Sequence, residues 1–530
     1  MSQSSPTATE AWAQLAQAAQ QNPPLTELLT EPGRDARLCH TLGQCRFDFS
    51  KQHVALAQLE HLYQLADEQA VAAKRDQLLA GEKINRSEDR AVLHTALRGT
   101  PLSDPTRNQD ISAAVDGVLQ RMYALVKAVQ NGDWRGHTGK RINNVVHIGI
   151  GGSHLGPQLV TDALAQHARN DLSLHYVANI DAFELEQALA RSNPETTLFV
   201  IASKSFTTLE TQINASSARS WFLERGGTLA GIAQHFVAVT NNIEAAARFG
   251  LPEDNLLPMW DWVGGRFSLW SAVGLPIALK IGCDNHAALL AGAKLADEHF
   301  ASADLRNNVP MLMALLATWN YNFLGATSLA LLCYDERLKL LPNFLQQLEM
   351  ESNGKSVDLH GQPVDYHTMA VLWGGTGTNG QHAYHQLLHQ GTRAYAADFV
   401  MVGHDDHRRR EHHNWLSANA MAQSQAMAQG FQAPEGETHR SVAGNHSSTI
   451  ITLDELGPHA LGVLLAVYEH KVFCQAAIWN INAFDQWGVE LGKNLAVPIY
   501  GALTGDAEQT SLDPSTTALI KHLKKNVNRR

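Results

Sequence analysis

The chain runs to 530 residues with a formal net charge of −11, and 44% of its residues are hydrophobic and 18% charged. That is a globular composition, with length enough for two or three lobes, and neither a disordered nor a fibrous one. The negative balance argues against nucleic acid as a main partner, because a phosphate backbone is gripped by clustered positive charge.

The N-terminus, MSQSSPTATEAWAQ, carries neither a basic n-region nor an apolar h-region, so no secretory signal is expected. Five scattered cysteines (Cys39, Cys45, Cys283, Cys333, Cys474) include no C-x-x-C pair, which fits a reduced compartment and predicts a cytoplasmic protein. Residues 1–115 read as a helical extension. Ala11 to Gln20 and Val54 to Ala80 have amphipathic spacing, Pro23, Pro24, Pro32 and Gly33 break it, and another helix opens at Ser87 and runs to about Arg98.

Residues 116–286 read as a first α/β lobe. A helix from Asp116 to Val129 leads into a β-branched run from Asn144 that Gly149, Gly151 and Gly152 close. Short apolar runs recur at Leu174 to Ala178, Thr197 to Ala202 and Phe236 to Thr240, with helical segments between them. Alternating strand and helix predicts a parallel sheet wrapped by helices.

Residues 287–500 repeat the plan. Helices over Ala287 to Phe300 and Val309 to Leu332 precede two strand-like runs, Lys339 to Phe344 and Met369 to Trp373. From Asn307 to Tyr334 there is no charge, which is long enough for a bilayer. Thr318, Asn320, Asn322, Thr327 and Ser328 interrupt the stretch and no basic cluster flanks it, so a buried helix pair is expected and no membrane contact. Residues 501–530 read as a helical tail whose basic end, Lys521 to Arg530, is a solvated helix terminus. The predicted fold is α/β, with two doubly wound lobes and the site at the carboxyl ends of their strands.

Several stretches have the residue types for chemistry. WGGTGTNGQH (Trp373 to His382) follows an apolar run, and Gly375-x4-Gly380 imitates a Walker A loop. Gln381 and His382 stand where that loop needs Lys and Ser or Thr, so the turn offers an imidazole for acid/base work instead of a cation for nucleotide phosphates. In Gly149-IGGSHLGP a glycine turn opens a helix and suits an anion. As a dinucleotide fingerprint it fails at His154, although Asp181 could mimic the ribose-binding acid and keeps an NAD-dependent oxidoreductase open.

Ser203-KSFTTLE sets Ser203, Ser205, Thr207 and Thr208 at a helix N-terminus, either as a phosphate monoester site or as an over-furnished cap. In Val263-GGRFS two glycines bring the backbone close to a ligand and aim Arg266 at developing negative charge, unless this is a turn with a surface arginine. Gln346-QLEMESNGK offers Glu349 and Glu351 as carboxylate bases before a Ser352-Asn353-Gly354 stop, and Gln486-WGVELGKN offers Lys493. The segment His404 to His413 looks metal-like, but Arg408 to Arg410 repel a cation and no H-E-x-x-H spacing occurs, so a polar surface and no metal is the reading.

Taken in order across 149–493, GIGGSHLGP, SKSFTTLET, VGGRFSLWS, QLEMESNGK, GGTGTNGQHAYHQLLHQGT and QWGVELGK resemble the glucose-6-phosphate isomerase family of the bacterial and eukaryotic type. The resemblance implies two sugar isomerase (SIS) type lobes and reversible isomerisation of glucose 6-phosphate and fructose 6-phosphate, in glycolysis and gluconeogenesis. Moving a carbonyl between C1 and C2 requires a base that carries one proton through a cis-enediol(ate). By resemblance Glu351 is that base, Arg266 stabilises the enediolate charge, and His382 and Lys493 open the ring. The matching histidine comes from the neighbouring subunit, which implies a homodimer. Gly152, Ser153, Ser203, Lys204 (through its backbone), Ser205 and Thr208 match substrate-binding positions around the phosphate, and Gln347 and Gln486 match residues contacting the sugar. The implied partner is a small-molecule sugar phosphate, and no cofactor or metal is implied.

His154 stands where Asp is common, Ser205 where Thr is usual and Phe267 where Tyr is frequent, while Gly444-NHSST and Asp513-PSTTALI depart further. A non-catalytic SIS-type sugar-phosphate-binding regulator is the rival reading. It would keep the Ser/Thr loop without needing Glu351, His382 and Lys493 together.

Overall fold

The computed structural model describes residues 5–102, 104–505 and 512–527. The chain divides into two compact units, Met1–Ala483 and Phe484–Arg530.

The first unit opens with helices at Glu10–Ala19, Leu56–Glu68 and Val71–Ala80, as amphipathic spacing predicts. Between them, however, strands β1 (Cys39–Leu42) and β2 (Cys45–Asp48) form an antiparallel hairpin with Leu42 opposite Cys45. The expectation of a wholly helical 1–115 is therefore corrected. Cys45 and Phe47 point inward and Arg46 outward, a period-two pattern too short to stand out in a helical context. The helix expected from Ser87 to Arg98 is also absent. Two short 3-10 turns, Arg86–Glu88 and His94–Arg98, lie there, and Arg98 is buried against Asp297 and Glu469. Tertiary ion pairing, not periodicity, shapes that segment.

A helix at Pro105–Asn131, capped by the Asp104 side chain, delivers the chain to the first sheet. Its strands are β3 (Asn144–Ile148), β4 (Ser173–Val177), β5 (Thr197–Ala202), β6 (Phe236–Val239) and β7 (Leu256–Leu257), all parallel, in the order β4-β3-β5-β6-β7. Val146, Ile148, Phe199 and Ile201 pack into a core on one face, and Val145, Leu198 and Val200 into a core on the other. Burial on both faces explains runs that are apolar without alternation. Because β4 and β5 flank β3 on opposite sides, the winding reverses there, and the loops leaving β3 and β5 lie side by side at a switch point where ligand crevices form.

The second sheet joins β8 (Ser328–Tyr334), β9 (Val371–Thr376), β10 (Ala396–Val402) and β11 (Ser448–Leu453) in the order β1-β2-β11-β10-β8-β9. The four later strands are parallel, and β2 caps the β11 edge antiparallel. The helix expected through Leu332 stops at Val309–Thr318, a π-turn follows at Trp319–Phe323, and β8 begins at Ser328. A helix pair over 307–334 is thus replaced by one helix and one strand. Both are buried on all sides, and neither leaves a periodic trace. Lys339 to Phe344 likewise holds a short helix, Leu341–Leu345, started by Pro342, in place of a strand.

Helix Pro458–Trp479 is long and apolar enough to cross a membrane, but it is wholly buried in the core. The second unit contains a turn at Trp487–Val489 and helices Glu490–Thr504 and Pro514–Val527. Lys521, Lys524 and Lys525 are exposed on the last helix, and residues 528–530 of the basic tail lie outside the described residues.

Candidate active site

Helix Leu341–Leu345 runs into a π-turn, Gln346–Glu351. Such turns change the angular step between side chains and recur at functional sites. The two candidate carboxylates, two residues apart, face opposite sides of this turn. Glu349 is fully buried, with both oxygens 2.8 Å from Lys471 Nζ. Burial pushes its carboxyl up, and the ammonium works against that shift. The Glu351 side chain is 25% exposed, and Oε1 accepts from Arg266 Nη1 at 3.1 Å. Its other oxygen, Oε2, accepts from Gln347 Nε2 at 3.1 Å. Of the two, only Glu351 is open to solvent.

Arg266 lies in a tight turn, Gly265–Phe267, and is a buried residue, not a surface arginine. Its Nε donates to Ser352 Oγ at 2.6 Å and its Nη2 to Ala483 O at 2.5 Å. With Glu351 on Nη1, the guanidinium is fixed from three sides, the preorganisation that charge stabilisation requires. Gly152, in the turn Gly151–Ser153 after β3, presses on this region: a Cβ there would sit 1.9 Å from Gly265 O. Only glycine permits that approach. His147 on β3 holds the same turn, its Nε2 donating to Ser153 O at 2.7 Å. Burial pushes that imidazole down to about 4, so it is neutral with its proton on Nε2.

On the adjacent strand, β5 releases the hydroxyl loop. Ser203 Oγ donates to Thr208 Oγ1 at 3.2 Å, and Ser205 Oγ accepts from Thr207 N at 3.2 Å and Thr207 Oγ1 at 2.7 Å. Thr208 precedes helix Leu209–Glu224 without a side-chain cap bond, so these hydroxyls are not spent on capping. The end of β6 steadies the loop: Lys204 O accepts from Asn241 N at 3.0 Å and from Thr240 Oγ1 at 3.1 Å. Asp181, the possible ribose acid, accepts from Phe183 N at 3.0 Å as the N-cap of Ala182–Ala190. Capping accounts for that residue.

The remaining predicted residues lie apart from this cluster or in the second unit. His382 is exposed at the end of helix Gly377–Gln381, its N–H donating to Asn379 O at 3.1 Å. Among the described contacts none joins it to Glu351. The glycines before it have a packing duty as well: Gly374 adopts φ +155° in β9, and a Cβ there would meet Leu331 O of β8 at 2.0 Å. Two short helices, Gly377–Gln381 and His385–Gln390, lie on either side of His382. In the second unit Lys493 Nζ donates to Glu490 Oε1 at 2.9 Å and its side chain is 64% exposed, while Gln486 precedes the turn Trp487–Val489.

Three residues were not anticipated in these roles. Ser352, read only as part of a stop, anchors Arg266. Lys355 donates to Glu351 O at 3.0 Å and Ser352 O at 2.9 Å, capping the turn. Lys471 neutralises Glu349 from a distant helix, and no local signal announces it. In the His404 to His413 segment Asp406 pairs with Arg337, and His413 Nε2 donates to Gly403 O at 3.1 Å. Among the described residues no three of His, Cys, Asp and Glu gather as metal ligands. A cavity of about 640 Å³ lined by Gln158, Asp162, Arg191 and Lys339 shares no residue with the Glu351 cluster.

This geometry can be set beside known proteins. A family model described as phosphoglucose isomerase matches residues 48–520. A glucose-6-phosphate isomerase of Shewanella baltica (strain OS185) is 46% identical over 533 residues, covering 97% of this chain and 98% of the relative. That of Hahella chejuensis is 46% identical over 517 residues, covering 94% and 92%. The crystal structure of a glucose-6-phosphate isomerase from Chlamydia trachomatis superposes with a TM-score of 0.87 at 31% identity, covering 99% of this chain and 100% of that one. Shared sequence over nearly the full length and a shared fold have one reading: the chain belongs to the phosphoglucose isomerase family.

Proposed function

We propose that this chain interconverts glucose 6-phosphate and fructose 6-phosphate through ring opening and a cis-enediol(ate), an aldose–ketose isomerisation serving glycolysis and gluconeogenesis. The observation that carries the mechanism is the cluster in which Arg266 and Gln347 each donate to one oxygen of Glu351 at 3.1 Å. The reaction moves one proton between neighbouring carbons and is redox-neutral overall, so side chains suffice and no cofactor is called for.

Glu351 takes the proton from C2 of the aldose and returns it to C1. Arg266, already fixed by Ser352 and Ala483, bears on the oxygen where negative charge develops. Ser153, Ser203, Ser205 and Thr208, with the backbone at Gly152 and Lys204, hold the phosphoryl group, and Gln347 and Gln486 orient the sugar. Lys493 and His382 move the protons that open the ring. His382 is exposed, as service in the site of a second subunit in a homodimer requires, and five cysteines with no disulfide between them fit a reduced compartment, the cytoplasm. A sugar-phosphate-binding regulator would need the hydroxyl loop but would have no use for a buried arginine aimed at an accessible carboxylate.

The test is a coupled assay on purified protein with EDTA present, run on glucose 6-phosphate and mannose 6-phosphate, with light scattering for the subunit count. Turnover of glucose 6-phosphate by a dimer is expected. No turnover sinks the isomerase reading, and a fully active monomer sinks the shared histidine.

A further inference from the structure

The phosphoryl group of the substrate does not react, yet its binding helps catalysis only if it changes something at the reacting carbons. A physical tie between the phosphate loop and the arginine turn is therefore worth seeking. Lys204 provides one. Its backbone belongs to the hydroxyl loop, but its ammonium reaches the segment that leads into Arg266, donating to Asp261 O at 3.1 Å and to Val263 O at 3.0 Å. The Asp261 carboxylate lies 3.8 Å away, and the lysine side chain is only 26% exposed. Two of three ammonium donors are thus committed to backbone carbonyls.

Supporting bonds close a triangle. Asn241, whose N–H holds Lys204 O, also donates through Nδ2 to Asp261 Oδ1 at 3.1 Å, and Asn242 Nδ2 donates to Ser205 O at 3.0 Å. Val263 is fully buried, and the turn beyond it is tight, with Phe267 N donating to Gly264 O at 3.1 Å. From the other side the backbone of Gly152 abuts Gly265 O. The arginine turn is therefore gripped at Val263 by the phosphate loop and at Gly265 by the turn after β3.

We propose that the Lys204 side chain is a positioning residue that ties the phosphate loop to the Val263–Arg266 turn, so that a seated phosphoryl group braces the already placed guanidinium at a fixed distance for the enediolate. The inference rests on the isomerase reading above and adds a role for the ammonium to that of the backbone. A lysine that merely binds phosphate would act on KM. One that transmits phosphate binding to Arg266 acts on kcat.

The experiment compares wild type with Lys204→Met, which keeps the apolar stem and deletes the donors. Steady-state kinetics on fructose 6-phosphate and competitive inhibition by inorganic phosphate are read together. The expected result is a kcat about 10- to 100-fold lower, with KM and the phosphate inhibition constant each within about threefold of wild type. An unchanged kcat, or a phosphate inhibition constant that weakens as much as kcat falls, overturns the tie. A Lys204→Met protein that does not melt cooperatively is replaced by Lys204→Gln and read the same way. Inactive wild type would overturn the isomerase reading itself, whereas active wild type with an unaltered variant overturns the tie alone.

Discussion

Glu349 and Glu351 stand two residues apart on one π-turn and have opposite environments: Glu349 is sealed against Lys471 in the core, and Glu351 is open and touched by Arg266 and Gln347. The first carboxylate is locked into the core and the second is held open to solvent by Arg266 and Gln347. Their variants should therefore fail in different ways.

Glu351→Gln keeps the shape and the contact to Gln347 while removing the proposed base. Isomerisation should fall by at least about 10²-fold, with fructose 6-phosphate still bound and the melting temperature little changed. Coupled kinetics and calorimetry check this, and full activity in the variant removes Glu351 from the base role.

Lys471→Met leaves the Glu349 carboxylate buried without its cation. Breaking one side of a buried pair costs about 3–5 kcal/mol, so a large fall in denaturant midpoint is expected. Replacing both residues, as in Glu349→Leu with Lys471→Met, should cost less than the lysine change alone. A double variant as unstable as Lys471→Met would show that the pair is not what holds the turn.

Gly152→Ala puts a methyl group 1.9 Å from Gly265 O, and something must move. The arginine turn is the near neighbour. A misplacement of about 1 Å near a reacting centre costs on the order of 10²-fold in rate. Circular dichroism should be unchanged while kcat/KM drops, and a fully active variant would mean the contact is slack.

Ser205→Ala removes a hydroxyl from the loop proposed to hold a group that does not react. KM should rise about tenfold, the size of one lost hydrogen bond to a charged group, with kcat less affected. An unchanged KM would take Ser205 out of the phosphate site.

Acid should loosen the turn after β3. His147 is neutral in the fold, with its pKa pushed down to about 4 by burial. In the unfolded chain it titrates near 6.5, so the unfolded state takes up the proton first as pH falls. The stability that His147 contributes is complete above about 6.5 and is lost as pH drops toward 4, roughly 2 kcal/mol of it by pH 5. His286, also pushed down to about 4, adds to the slope. Melting curves from pH 7 to 5 should fall steadily, and His147→Gln, which keeps a donor for Ser153 O, should flatten the fall. Parallel slopes in the two proteins would assign the effect elsewhere.

The strands β3, β5 and β6 were legible because each is a β-branched or aromatic run cut off by a glycine or polar turn. Helix Val309–Thr318 and strand β8 were not separable by pattern, since both are surrounded by apolar neighbours. The β1–β2 hairpin escaped because its inward residues earn their burial from β11, far along the chain. For the site, residue blocks pointed to Arg266, Gln347 and Glu351, and their mutual contacts bring these three together. The choice between Glu349 and Glu351 needed the family resemblance, because residues two apart face opposite sides of any helix and spacing does not say which side is the core. Ser352 and Lys471 act through partners distant in sequence, 86 and 122 residues away, and local pattern has no reach over such separations.

The π-turn also sets a length rule for this part of the chain. A π-turn carries about one residue more per turn than an α-helix, so deleting a single residue from 346–350 and letting the helix regularise would remove the wide turn and re-space the side chains within it. The carboxylate at 351 would then lose its spacing to Gln347 and its place against Arg266, while a conservative replacement at the same positions would keep both. Across homologous chains, this segment should tolerate exchanges of residue type far more readily than a change of one in its length.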